Sequence, residues 1–274
     1  MTSANNNEFL NECVIAAKKF DGHFIIAKNR DRPYDPSLTL IHEIIDGIET
    51  VWMVDEDTDW SEGMNEFGIS IVNSALMVAR DEAEKKTAKK EGKKFLKDGT
   101  IIREALKHSD VEKIIDIIIS KDGGLKGHTF VCTKDELYAV ELTSKHQPEV
   151  QNISDSDNEV RTNHGIKHTS AGYQKGLSFK SSAIRKNSAI AQISKANTPE
   201  EVLQRMRKRL YKKDSMLNMK RDTKKLWTSS QLMMDPTNLT IKLVAFSDKT
   251  QDLKIDNRLP EGYVPKIKLE LQVI

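Results

Sequence analysis

The stretch from Cys13 to Asp31, CVIAAKKFDGHFIIAKNRD, sets the architecture of this chain. Two apolar runs, CVIAAKKF and HFIIAKN, are joined by Asp21-Gly22. A short Asp-Gly pair between such runs predicts a β-hairpin, because glycine takes the positive φ that tight hairpin turns need. The same signal recurs at Asp46-Gly47, between predicted strands at 38–45 (LTLIHEII) and 48–54 (IETVWMV). A further strand is predicted at 68–76 (GISIVNSAL), after a turn-like Glu62-Gly63.

Beyond a charged connector at 81–97, apolar residues recur at helical spacing from Thr100 to Ile119: Ile101, Ile102, Ala105 and Leu106, then Ile114, Ile115 and Ile118. Asp110 is placed to cap the second helix of that pair. Strands resume at 128–133 (HTFVCT) and 137–142 (LYAVEL). A helix is predicted over 181–196, and another after Thr198-Pro199, with Val202, Met206 and Leu210 on one stripe. Late strands at 226–234 and 239–246 flank Asp235-Pro236. Strands, a helix pair, strands, a helix pair and strands again imply one layered α+β domain rather than a doubly wound parallel sheet. No glycine-rich loop opens a helix, so nucleotide binding has no support.

The whole chain is 274 residues, with 43 Lys+Arg against 41 Asp+Glu and a net charge of +2. A chain of this size buries roughly 70–75% of its unfolded surface, enough for a substantial core without covalent staples. Two cysteines exclude a disulfide scaffold, and 13 glycines with 7 prolines exclude collagen-like or mucin-like chains. The longest uncharged stretch, Phe67 to Ala79, is well short of the roughly 20 residues of a membrane span. Residues 1–12, MTSANNNEFLNE, have neither a basic n-region nor an apolar h-region. They read as a polar leader or propeptide ahead of a single domain at 13–274, in a reducing cytoplasm where both cysteines stay thiols.

A cysteine directly after a dispensable leader has a specific chemical use. Were residues 1–12 removed, Cys13 would carry both a thiol nucleophile and a free α-amine. That amine, with an ordinary pKa of about 7.7–8.0, can serve as general base for its own side chain. The competing reading is a small buried hydrophobe, the common fate of a free cysteine.

The chain also resembles the amino-terminal-nucleophile hydrolases of the choloylglycine hydrolase and penicillin V acylase type, whose relatives include acyl-coenzyme A:isopenicillin N acyltransferases. Five pieces match in order: Cys13 with a hairpin ending in Ala27-Lys28-Asn29-Arg30-Asp31; Glu62-Gly63-Met64-Asn65-Glu66-Phe67-Gly68-Ile69; Asn73; Arg161-Thr162-Asn163-His164; and Ser181-Ser182-Ala183-Ile184-Arg185. The resemblance implies a four-layer αββα sandwich with two mostly antiparallel sheets. It implies Cys13 as nucleophile, Asp31 holding the amine and thiol, Asn73 and Asn163 as oxyanion donors, and Arg185 tuning the nucleophile or holding the neighbouring carboxylate. It further implies hydrolysis of a linear, small-molecule N-acyl amide through an acyl-cysteine, after autocatalytic exposure of Cys13, with neither cofactor nor metal. The family arginine three residues before the aspartate is replaced by Lys28 here, so either Lys28 serves or Arg30, on the same strand face, reaches in.

Two other readings stay open at this point. One is acyl transfer through the same acyl-cysteine; the other is a non-catalytic binding protein that uses its basic segments. Those segments are Arg205–Lys225 and the stripe Lys85, Lys89, Lys93 and Lys97. With few aromatic residues among them they read as solvated faces, so neither a nucleic acid nor a membrane is an expected partner, whereas a homo-oligomer is. His164 and His168 stand four apart, but Gly165 between them favours a loop over a metal pair. Cys132 reads as a core thiol.

Overall fold

The computed structural model describes residues 12–76, 98–120, 124–143, 146–169 and 180–274. The leader up to residue 11 and the lysine stripe at 85–97 therefore lie outside the described residues. β1 (Glu12–Phe20) and β2 (His23–Arg32) form the expected hairpin, with Asp21 and Gly22 at φ of 49° and 85°. β3 (Ser37–Ile45) and β4 (Ile48–Asp55) repeat it, with Asp46 and Gly47 at 52° and 83°. Positive φ at both central residues matches the twist of the flanking strands, which is why Asp-Gly works at both places.

The chain continues through β5 (Trp60–Asn65), β6 (Ser70–Ser74), α1 (Asp98–Ala105), α2 (Val111–Ile118), β7 (Gly127–Cys132), β8 (Leu137–Leu142), β9 (Glu149–Asn152) and β10 (Asn158–Arg161). It closes with α3 (Lys180–Ile193), α4 (Pro199–Met206), β11 (Trp227–Asp235), β12 (Thr240–Ala245), β13 (Asp252–Asn257) and β14 (Lys268–Val273). Asp110 caps α2 by accepting from Glu112 N at 2.9 Å, and Thr198 caps α4 ahead of Pro199.

A six-stranded sheet runs β10-β1-β2-β11-β12-β14 and an eight-stranded sheet runs β13-β3-β4-β5-β6-β7-β8-β9. Both are antiparallel except at the β12–β14 and β13–β3 edges, which are parallel. Strand alternation then sorts the side chains into layers. Ile15, Ala17, Phe24 and Ile26 point between the sheets, onto Leu40, Met53, Val72 and Phe130. Val14, Ala16, Ile25 and Ala27 point the other way, onto Ala189, Ile193, Val202 and Met206 of α3 and α4. On the far side, Ile71 and Val131 meet Ile101, Ile102, Ile114 and Ile118 of α1 and α2. The result is the expected four-layer αββα sandwich. None of the described helices is long and apolar enough to cross a membrane.

Two local expectations are corrected. Glu62-Gly63 is not a turn but lies inside β5, whose residues are all buried. Gly63 is required there by close approach, since a Cβ would stand 2.4 Å from Val51 O on β4. The helix after Pro199 stops at Met206, and Leu210 is exposed. The Leu210 and Tyr211 amides both donate to Asn218 Oδ1 at 3.0 Å, a side-chain competitor for the bonds that would have continued the helix.

Candidate active site

Cys13 sits one residue into β1, opposite Arg30 in the register, with Glu12 opposite Asp31. Alternation places its thiol between the sheets, on the face shared by Lys28, Arg30 and Arg32. Glu12 and Asp31 share the opposite face, toward α3. The hairpin thus divides the charged residues into two buried clusters, one on each side of the Cys13 backbone.

Between the sheets, Arg32 Nη1 stands 3.8 Å from Cys13 Sγ while its Nε donates to Asp55 Oδ2 at 3.0 Å. Arg30 bonds Asp55 at 3.2 Å and also pairs with Glu62. Lys28 pairs with the same Glu62 and donates to Asn73 O at 2.6 Å. Trp60 Nε1 and Tyr34 Oη add a bond to each carboxylate, to Glu62 at 2.6 Å and Asp55 at 3.0 Å. Burial works to raise both carboxyls, but Arg30 with Lys28 holds Glu62 below its usual range, and Arg30 with Arg32 does the same for Asp55. Burial pulls Lys28 below its ordinary value against the attraction of Cys13 and Glu62.

On the α3 side, Arg185 and Arg221 are both buried and both reach Glu12 Oε2, at 2.5 and 2.6 Å. Asp31 is more distant, 3.5 Å from Arg185 Nη1 and 3.7 Å from Arg221 Nε, and its Oδ1 accepts from Thr228 Oγ1 at 2.7 Å. Burial raises the Asp31 carboxyl despite Arg221 and Arg185. Burial also acts to raise Glu12, yet the same two arginines hold it low. Arg185 is pushed down to about 10 by burial and then by Arg221.

Asn163 joins the clusters at the Cys13 backbone. Its Oδ1 accepts from Cys13 N at 3.2 Å and from Arg185 Nη2 at 2.9 Å. Its Nδ2 donates to Ala75 O at 2.7 Å and Ser74 Oγ at 3.2 Å. Two donors on one side and a carbonyl on the other fix the orientation of the amide. Asn163 N in turn donates to Ser182 Oγ at 2.8 Å, so the Ser-Ser-Ala-Ile-Arg turn of α3 holds both Asn163 and Arg185. The Cys13 carbonyl accepts from Arg185 Nη1 at 3.4 Å and lies 3.5 Å from Ser74 Oγ.

Of the expected site residues, Cys13, Asn163 and Arg185 converge directly, and Asp31 joins them through Arg185. Asn73 is a correction. Its side chain lies on the other face of β6, donating to Thr129 Oγ1 at 2.8 Å and Lys126 O at 3.4 Å, so its amide is not an oxyanion donor at Cys13. The next residue, Ser74, faces Cys13 instead, because successive strand residues point to opposite faces. Lys28 and Arg30 both stand in the cluster beside Cys13, yet their shared carboxylate is Glu62, not Asp31. Glu12, taken with the polar leader, is an ordered and buried part of β1. Arg32, Asp55, Ser74, Thr228 and Arg221 were not anticipated; only Arg32 had a visible signal, the same-face spacing Lys28, Arg30, Arg32.

A second buried group supports the Asn163 loop. Glu141 accepts from the amides of Ile166, Lys167 and His168 at 2.9, 3.0 and 2.9 Å, and His128 Nε2 donates to His164 O at 2.7 Å. His164 and His168 lie in this loop, His168 stacked on His146, and among the described residues no group of three or more ligand-type side chains could hold a metal. Burial lowers the proton affinity of His128 below the ordinary 6.5, outweighing the His164 carbonyl and Glu141. The unfolded chain therefore takes up a proton that the folded chain refuses, and stability falls as pH drops below 6.5. One such group changes stability by at most about 1.4 kcal/mol per pH unit. His128→Gln is expected to flatten this dependence in denaturant melts recorded from pH 7 downward; an unchanged slope would contradict it.

The architecture has a likeness among solved structures. The chain is similar to the structure of penicillin V acylase from Agrobacterium tumefaciens, with a TM-score of 0.50 over 85% of this chain and 86% of that one. The two are 11% identical, so the likeness concerns the fold. No family model matches the chain, and no curated protein matches it in sequence.

Proposed function

We propose that the chain is a cysteine amidase that hydrolyses a linear N-acyl amide through an acyl-cysteine, after cleavage of its own Glu12–Cys13 peptide. The observation that carries this reading is the pairing of Asn163 and Arg185 around the Cys13 backbone, with the buried thiol 3.8 Å from Arg32. A cysteine that served only as packing would need neither.

In the proposed reaction the Cys13 α-amine takes the thiol proton and the thiolate attacks the amide carbonyl. Arg32 faces the sulfur as charge forms there. Asn163 Nδ2, whose two hydrogens go to Ala75 O and Ser74 Oγ in the uncut chain, turns the longer of these bonds from Ser74 to the oxyanion of the tetrahedral intermediate. The amine leaves with a proton from the α-amine, and water then releases the acid from the thioester. Asp31, held by Thr228 and the two arginines, keeps the new amine in place.

Asn163→Ala is expected to lower kcat by about 10²–10³, the usual cost of one oxyanion donor. Steady-state kinetics on the cleaved variant with an activated anilide would show it. A loss confined to KM would remove Asn163 from the oxyanion role. Amino-terminal sequencing of wild-type protein tests the cleavage itself.

A further inference from the structure

Cleavage before Cys13 does more than free an amine: it takes away a carboxylate. In the uncut chain Arg185 and Arg221 share two carboxylates, Glu12 at 2.5 and 2.6 Å and Asp31 at 3.5 and 3.7 Å. All four side chains are buried. Asp31 offers the two arginines one oxygen only, Oδ2, because its Oδ1 is held by Thr228 at 2.7 Å. Once Glu12 leaves, two buried guanidiniums face a single carboxylate. A buried charge without its partner is strongly unfavourable, so the vacated position favours another anion. Arg221 points the same way: its Nε and Nη1 are buried without a hydrogen-bond partner.

We infer that Arg185 and Arg221 form a carboxylate subsite, filled by Glu12 before cleavage and afterwards by a carboxylate on the acyl part of the substrate. This rests on the amidase reading above and names its substrate class. The tether length follows from Glu12 itself. In the proposed self-cleavage, Cys13 Sγ adds to the Glu12 carbonyl carbon and the C–N bond to Cys13 breaks. The thiol proton ends on the Cys13 nitrogen, leaving a thioester that water hydrolyses to the free acid. The Glu12 acyl group thus passes through an acyl-cysteine with its side-chain carboxylate within reach of both arginines. Three carbons separate that carboxylate from the reacting carbonyl, as in a glutaryl group. Glutaryl and γ-extended diacid amides therefore fit the subsite, and monoacid amides of equal length leave it unfilled.

Calorimetric titration with glutarate tests the subsite without requiring turnover. The cleaved wild-type chain is expected to bind glutarate. The uncut Cys13→Ala chain, in which Glu12 still occupies the arginines, is expected not to bind. Arg221→Met should weaken binding at least tenfold and Arg221→Lys should keep most of it. In parallel, glutaryl anilide should be cleaved at least tenfold faster than valeryl anilide, a preference lost in Arg221→Met. If Arg221→Met fails to fold, the contrast between cut wild type and uncut Cys13→Ala decides the matter alone. Equal glutarate binding by both forms, or none by the cut chain, overturns the subsite even if valeryl anilide is hydrolysed. Glutarate binding to a cut chain that hydrolyses neither anilide upholds the subsite and sinks the amidase reading. A wild-type chain that is never cut overturns both.

Discussion

Cys13→Ala is expected to leave the chain uncut and without amidase activity, while its fold is retained. The substitution removes only the sulfur from a side chain already packed among residues that alanine suits, since Ala17 occupies the next equivalent position but one on the same strand face. Stability should therefore change little compared with chemistry. The sulfur is proposed to act twice, first on the Glu12 carbonyl and then on the substrate, so its loss stops both events. Removing a nucleophile of this kind costs on the order of 10⁶ in kcat where it has been dissected, and only background hydrolysis should remain. Mass spectrometry for cleavage and an anilide assay for turnover give the two readouts. An uncut alanine variant that still turns over substrate at a tenth of the wild-type rate would remove Cys13 from the mechanism.

The second large effect is on stability. Glu62 pairs with both Lys28 and Arg30 and accepts from Trp60, and all its charged partners are buried. Glu62→Gln keeps the shape but leaves two cations sharing what Asp55 and the Asn73 carbonyl provide. Breaking a buried pair by removing one partner costs about 3–5 kcal/mol, because the remaining charge stays desolvated. For a domain of this size that corresponds to a fall in Tm of roughly 10 °C. The pH dependence has a definite sign. The folded-state pKa of Glu62 lies below the ordinary 4.5, so its stabilisation is present above that pH and is lost as the pH falls further. Glu62→Gln should thus lose most against wild type near neutrality and least in acid. A variant as stable as wild type at pH 7 would mean that the cluster tolerates an uncompensated charge.

Much of this organisation was readable before the fold was known, for reasons visible in particular residues. The Asp-Gly turns declare both hairpins because few residue pairs accept two consecutive positive φ values. Asp110 and Thr198 declare helix starts through side-chain chemistry that acts within three residues. The grouping of Cys13, Asn163 and Arg185 was legible from the order of their motifs, and the structure brings the three into contact. It was not legible where it depends on which face of a strand a residue occupies: a one-residue offset separates Asn73 from Ser74 and moves the side chain through the sheet. Arg221 could not be found at all, since it reaches Glu12 from a segment without regular structure, 209 positions along the chain. Similarly, the parallel edge strands β13 and β14 are largely exposed, and a half-solvated edge leaves little hydrophobic pattern to read.

Arg185 binds groups that belong to both stages of the proposed mechanism. It contacts the Cys13 carbonyl, the Asn163 oxygen and the two carboxylates Glu12 and Asp31. Asn163 is also held by Ser182, Ser74 and Ala75, independently of Glu12, so its geometry should survive the loss of the leader.

The central claim is that the working nucleophile is a cysteine with a free amine. Amino-terminal sequencing of the catalytically active wild-type chain tests it most directly. The expected sequence begins Cys-Val-Ile-Ala-Ala, with residues 1–12 absent. Active protein that still begins at or near Met1 would contradict the account, because the Cys13 nitrogen would then be an amide and could not accept the thiol proton.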